Sequence, residues 1–161
     1  PEQGGSLLEA AQALEASDPD GAIDRYRLLL GEEPENAEAL FALGRLLLLQ
    51  GSPEGVATLR QLAADSSLVA RAQAALPLAD FLAEGAGPAD GELDTRYRQA
   101  ARAAAARAFA AAIEDLLTIV ARDRGFRDDG ARKALLALLA ALGDGHPLVP
   151  AARRRLANLL F

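Results

Sequence analysis

The sequence contains no cysteine and no methionine, one histidine and one lysine, and only 4% aromatic residues. Without cysteine the chain has no disulfide framework, no thiolate metal site, no sulfur nucleophile and no redox pair. The lone His146 sits in a Gly-Asp-Gly-His-Pro turn. No nucleophile elbow accompanies it, and Asp144 alone is too little for a metal site, so it reads as a turn or cap residue. With no methionine, Pro1 is not a natural beginning, and residues 1–5 are expected to be a linker from a missing upstream domain. No apolar run approaches the ~20 residues of a membrane span and no basic leader precedes one. A soluble, cytoplasmic protein is therefore expected. The scarcity of aromatics leaves an aliphatic core, so helices must approach closely, and Gly44, Ala22 and Ala112 are placed for that approach.

At 161 residues the chain is long enough for one domain that buries roughly two thirds of its unfolded surface. The net charge of −6 is uneven: residues 1–95 carry 17 acids and 5 bases, residues 96–161 carry 6 acids and 12 bases. Eleven of those twelve bases are arginine. Nucleic acid is not the expected partner, because aromatic interleaving is sparse and acids interrupt any basic stripe.

Asp18-Pro19-Asp20-Gly21-Ala22-Ile23 recurs 34 residues later as Ser52-Pro53-Glu54-Gly55-Val56-Ala57. That is the period of the tetratricopeptide repeat (TPR), a helix–turn–helix unit that must stack to bury its apolar face. The first unit reads as Ser6 to about Ala16 and Pro19 to about Leu30, with Asp18 as N-cap, Pro19 in the first turn, and Ala22, Ile23 and Tyr26 on one face. The second has Leu40, Leu43, Gly44 and Leu47 facing Val56, Leu59, Leu62 and Ala63. Ser67 to about Ala83 reads as a helix that kinks at Pro77 or breaks at Leu76. A third unit runs from Gly91 to about Ala106 and Ala108 to about Ala121, with Phe109, Ala112, Ile113, Leu116 and Val120 inward. Arg107 stands where its turn expects glycine. In the tail, Asp128 and Asp129 offer N-caps for one helix. The last helix runs from about Pro147 to Leu160 with Val149, Ala152, Leu156 and Leu159 inward. The fold class is thus all-α, a TPR-like solenoid of helix pairs over residues 6–161 closed by a C-terminal pair. Sub-bundles of about 6–84 and 89–161 should meet at Gly85-Ala86-Gly87-Pro88.

Asp123-Arg124-Gly125-Phe126-Arg127-Asp128-Asp129 precedes Ala131-Arg132-Lys133-Ala134-Leu135-Leu136. Gly143-Asp144-Gly145-His146-Pro147-Leu148-Val149 follows, leading to Arg153-Arg154-Arg155-Leu156-Ala157-Asn158-Leu159-Leu160-Phe161. These stretches resemble the carboxy-terminal signature of the bacterial thioredoxin–TPR fusion proteins, the chaperedoxins. The likeness is dense over about residues 107–161 and looser before. It implies a cytoplasmic co-chaperone in which a thioredoxin-like domain precedes a helical domain that engages unfolded clients and a chaperonin. Only the helical part would be present here, and redox activity does not carry over to a cysteine-free chain. Arg107 and the Ala-rich stretch from Ala100 to Ala112 depart from the family pattern.

No catalytic constellation or cofactor motif emerges, so the expected role is protein binding rather than catalysis. Arg153, Arg154 and Arg155 step about 100° apart around a helix, about 200° from first to last, and cannot share one face. They read either as a solvated helix end or, on the resemblance, as a chaperone-docking helix ending in Leu160 and Phe161. Glu32, Glu33, Glu35 and Glu38 read as a solvated inter-repeat loop near a helix N-terminus rather than a cation site. A carboxylate clamp for acidic peptides is disfavoured, since the first helices of units one and two offer only Arg45. Two other roles remain open: a scaffold module of another complex, and an accessory domain that positions a disulfide oxidoreductase.

Overall fold

Two helix starts in the first half of the chain are capped by short polar side chains. Asp18 accepts a hydrogen bond from the Gly21 amide at 3.0 Å, and Asn36 accepts one from Ala39 at the same distance. Each satisfies an amide that lacks an intrahelical partner. The computed structural model describes residues 2–161, with side chains from residue 5. It contains α1 (Glu2–Leu14), α2 (Pro19–Glu32), α3 (Ala37–Leu49), α4 (Glu54–Leu59), α5 (Val69–Ala75) and α6 (Leu78–Ala83). A 3-10 turn (Glu84–Ala86) leads to α7 (Glu92–Ala105), α8 (Phe109–Arg122), α9 (Gly130–Leu142) and α10 (Val149–Leu160). No strand occurs among the described residues. Of the expected linker, Pro1 lies outside the described residues, and α1 already begins at Glu2.

The chain divides between Gln73 and Ala74 into two units. The sequence placed a boundary later, at Gly85-Ala86-Gly87-Pro88. That loop is stitched to α7: Arg98 donates to the Glu84 carbonyl at 2.7 Å and Arg102 to the Gly85 carbonyl at 2.9 Å. It therefore lies within the second unit.

In the first unit α1 pairs with α2, α3 with α4, and α2 leans on α3. Ala11, Ala22, Ile23, Tyr26, Leu29, Ala39, Ala42, Leu43, Leu46 and Leu47 form its core. A Cβ added at Gly44 would lie 2.5 Å from the Leu59 side chain. At Gly55 it would lie 2.7 Å from the Leu48 amide nitrogen and 3.1 Å from the Gly44 carbonyl oxygen. Gly44 was expected at this crossing; Gly55 is the tighter point, because backbone rather than side chain fills the space. Helix α4 ends at Leu59, since the Gln61 and Leu62 amides take carbonyls three residues back. Ala63, expected inward, is consequently exposed, while Leu62 and Val56 are half-buried.

In the second unit α7 pairs with α8, and both α9 and α10 lean on α8. Ala100, Ala101, Ala104 and Ala112 are wholly buried, so the Ala-rich stretch is the packing surface of this pair. The helix expected over 67–83 breaks at Leu76-Pro77, where proline lacks the N–H that α5 would need to continue. Leu159, expected inward on α10, is exposed, while Val149, Ala152 and Leu156 are buried.

Helices α3 and α7 end in the same motif. Ser52 donates to the Leu47 carbonyl at 3.0 Å and Gly51 to Leu48 at 2.9 Å. Ala108 donates to Ala103 at 2.8 Å and Arg107 to Ala104 at 3.0 Å. Both are Schellman closures, which place the residue after the helix in the left-handed region. Gly51 has φ of 74° and Arg107 φ of 64°. The third unit therefore makes the glycine turn without glycine.

Two stability predictions follow from these contacts. Gly44→Leu, and separately Gly55→Ala, should each overpack the α3–α4 crossing and cost ~1–3 kcal/mol by urea unfolding; an unchanged midpoint would contradict the crossing. Arg107→Gly should stabilise the protein by about 1 kcal/mol, because glycine adopts positive φ without a Cβ penalty. A lower melting temperature would show that Arg107 contributes something else.

Candidate functional site

The carboxy-terminal helix presents one face to α8 and the other to solvent. Arg153, Arg154 and Arg155 are all exposed, Leu160 is half-buried and Phe161 is fully exposed. Two of the three arginines are engaged within the chain. Arg155 forms a two-pronged pair with Glu114 of α8, one arm at 3.0 Å, and holds that carboxyl below its usual pKa. Arg153 reaches Asp144 at 3.3 Å. Arg154 makes no ion pair among the described residues. Arg124 donates to the Leu160 carbonyl at 2.6 Å, fixing the helix end beside Phe161. Of the sequence's candidates, Arg154 and Phe161 are freely presented, and Leu159, expected inward, joins them.

His146 acts in the turn before α10. Its Nδ1 accepts the Leu148 amide at 3.2 Å, and the ring stands edge-on to Phe109, with centroids 6.5 Å apart. Burial pushes its pKa below the usual histidine value. Phe109 is half-buried by this contact at the start of α8, and Ala112, one turn on, is wholly buried.

Among the other repeat positions, Ala22 and Tyr26 are wholly buried. The Tyr26 hydroxyl donates to Glu15, whose other oxygen accepts from Arg45 at 2.8 Å. Burial and the neighbouring carboxylate raise the phenol pKa. Arg45, the one cation on the early first helices, is itself buried and committed to Glu15. Glu33 accepts from Asn36 at 2.8 Å, so part of the acidic loop supports a helix cap. Among the described residues no group of three or more His, Asp or Glu is placed to hold a metal ion.

The sequence did not reveal a second charged cluster. Asp94 of α7, only 7% exposed, accepts the Asp90 amide at 2.8 Å, Arg98 Nε at 3.1 Å and Arg127 Nη2 at 2.7 Å. Arg127 also contacts Glu84 at 3.3 Å and lies 4.5 Å from the Tyr97 ring centroid. Tyr97 in turn packs against Phe81 and Phe126. Only the Asp94–Arg98 spacing of four residues was visible as a helix pair. Arg127 lies 33 residues away in chain, beyond any local pattern.

That loop corrects another expectation. Arg127, Asp128 and Asp129 have φ of 50°, 55° and 68°, so three non-glycine residues in succession are left-handed. Such a residue costs about 1–2 kcal/mol. Asp129 precedes α9 but makes no side-chain cap; its carboxylate meets Arg132 Nε at 2.6 Å instead.

The Asp94 cluster predicts acid lability. The Asp90 amide first, then Arg127 and Arg98, pull the Asp94 carboxyl from 3.8 to about 2, against the opposing effect of burial. A depressed carboxylate stabilises the fold above its unfolded pKa, and that gain is lost as pH falls through the folded value. Asp94→Asn should therefore destabilise by about 2 kcal/mol at pH 7, with the difference closing between pH 4 and pH 2. Urea unfolding of both chains across that range checks it.

No curated protein and no solved structure matches the chain significantly. Residues 71–161, which hold the α7–α8 pair and the tail but not the stretch where the 34-residue period is read, match the tetratricopeptide repeat family. By its paired helices and this match across more than half its length, the chain belongs to the tetratricopeptide repeat family.

Proposed function

We propose that this domain is the polypeptide-binding part of a cytoplasmic, thioredoxin-like co-chaperone that holds unfolded clients and docks on a chaperonin. Repeats of this family typically serve as non-catalytic protein-interaction modules, which favours binding over catalysis. Among the described residues no helix is long and apolar enough to cross a membrane. The signature over residues 123–161 supports the co-chaperone reading. The observation that carries the docking site is the outer face of α10, where Arg154, Leu159 and a fully exposed Phe161 stand clear of the α8 contact. Aromatic and arginine side chains of this kind anchor protein interfaces.

Deleting α10 would not test this cleanly, because Val149, Ala152 and Leu156 are buried against the rest of the unit. The surface variant Arg154→Glu with Phe161→Ala leaves that contact untouched. Isothermal titration against a chaperonin should show at least tenfold weaker binding for the variant, with circular dichroism unchanged. Equal affinities would remove α10 from the docking surface, and no binding by the wild type would remove the chaperonin from the proposal.

A further inference from the structure

The loop between α8 and α9 holds two local preferences that compete. Residues 127–129 form one left-handed turn, closed by the Gly130 amide on the Phe126 carbonyl at 2.9 Å. Each non-glycine residue in that region is unfavourable, so the turn persists only where its flanks over-determine it. One flank is Arg127, whose Nε and Nη2 reach Asp94 Oδ1 at 3.1 and 2.7 Å and whose Nη1 reaches Glu84 at 3.3 Å. The other is Asp129, held sideways by Arg132, with the Lys133 ammonium on the Asp128 carbonyl at 2.9 Å. The price of this arrangement is the N-terminus of α9, which no side chain caps although an aspartate occupies the N-cap position.

We propose that residues 127–129 are a two-state latch, closed when Arg127 grips Asp94 and open when the turn extends and Asp129 caps α9. The closed state ties the α8–α9 connection to α7 and to the 3-10 turn. In the open state Asp129 exchanges the Arg132 guanidinium for amides of the first turn of α9, a favourable acceptor geometry once φ turns negative. Opening breaks ion pairs at a partly exposed arginine (side chain 29% exposed) and relieves three unfavourable backbone angles. The two states thus differ by a trade of interactions rather than by loss of a core.

Backbone NMR with amide exchange on the full chain tests the latch. Arg127→Met keeps an apolar stem against Tyr97 and removes the grip. Its residues 128 and 129 should move from left-handed to extended Cα shifts, with Gly130 exchange at least tenfold faster and Arg132 exchange slower. Adding Asp129→Ala should abolish the slowing at Arg132 and keep the acceleration at Gly130. Unchanged shifts and exchange in Arg127→Met would overturn the proposal, as would acceleration at Gly130 with no slowing at Arg132. If that variant loses its fold, exchange of the wild type in sub-denaturing urea decides. Gly130 should open by a urea-independent path, separate from the core amides of α8. Exchange of Gly130 only with those core amides would overturn the latch.

Discussion

Close approach of one helix backbone to another is the constraint on which this fold rests. With so few aromatic side chains to span a gap, the helices meet almost bare: Gly55 against the Leu48 amide, and Ala100, Ala101 and Ala104 of α7 in the same layer as Ala112 of α8. An alanine interface gains little apolar area per residue. It must therefore be continuous and well fitted, since a small void forfeits much of its dispersion energy. Helix α3, which contacts both α2 and α4, is buried from Ala39 through Leu48 without interruption.

The arginines play a different part from the one their number implies. The second half of the chain is basic, and many of its cations serve neighbouring helices. Arg96 meets Asp115 at 3.0 Å, and Arg122 meets Glu92 at 2.5 Å. Arg155 reaches from α10 to Glu114 on α8, and Arg98 and Arg127 converge on Asp94. The exposed pairs among these contribute little stability one by one, whereas Asp94 is nearly buried. Arg154 and the apolar tip of α10 stand outside these pairs.

Local chemistry was legible where the cause was local. Asp18 caps the helix it precedes, Pro77 breaks its helix, and the demand for left-handed backbone at Arg107 follows from its turn position. Leu159 was misread because helical periodicity continues to the end of α10 while the neighbouring helix does not cover it. Asp129 was misread as a cap because its sequence position is right but its backbone is left-handed, in a loop tied to α7 through Arg127. The Glu15–Tyr26–Arg45 contact was hidden for the same reason, being assembled from three separate segments. The family match falls on residues 71–161, whereas the visible period lies at 18–57. The third unit was legible from its apolar spacing even though Arg107 stands in place of its turn glycine.

The strongest helix contacts join elements that follow one another along the chain: α1 with α2, α2 with α3, α3 with α4, α7 with α8, and α8 with α9. Few long loops need closing before such contacts form, so little entropy is spent in reaching the transition state for folding. Within each unit a chain arranged this way can condense helix by helix as it emerges from synthesis, each new helix settling on the one before it.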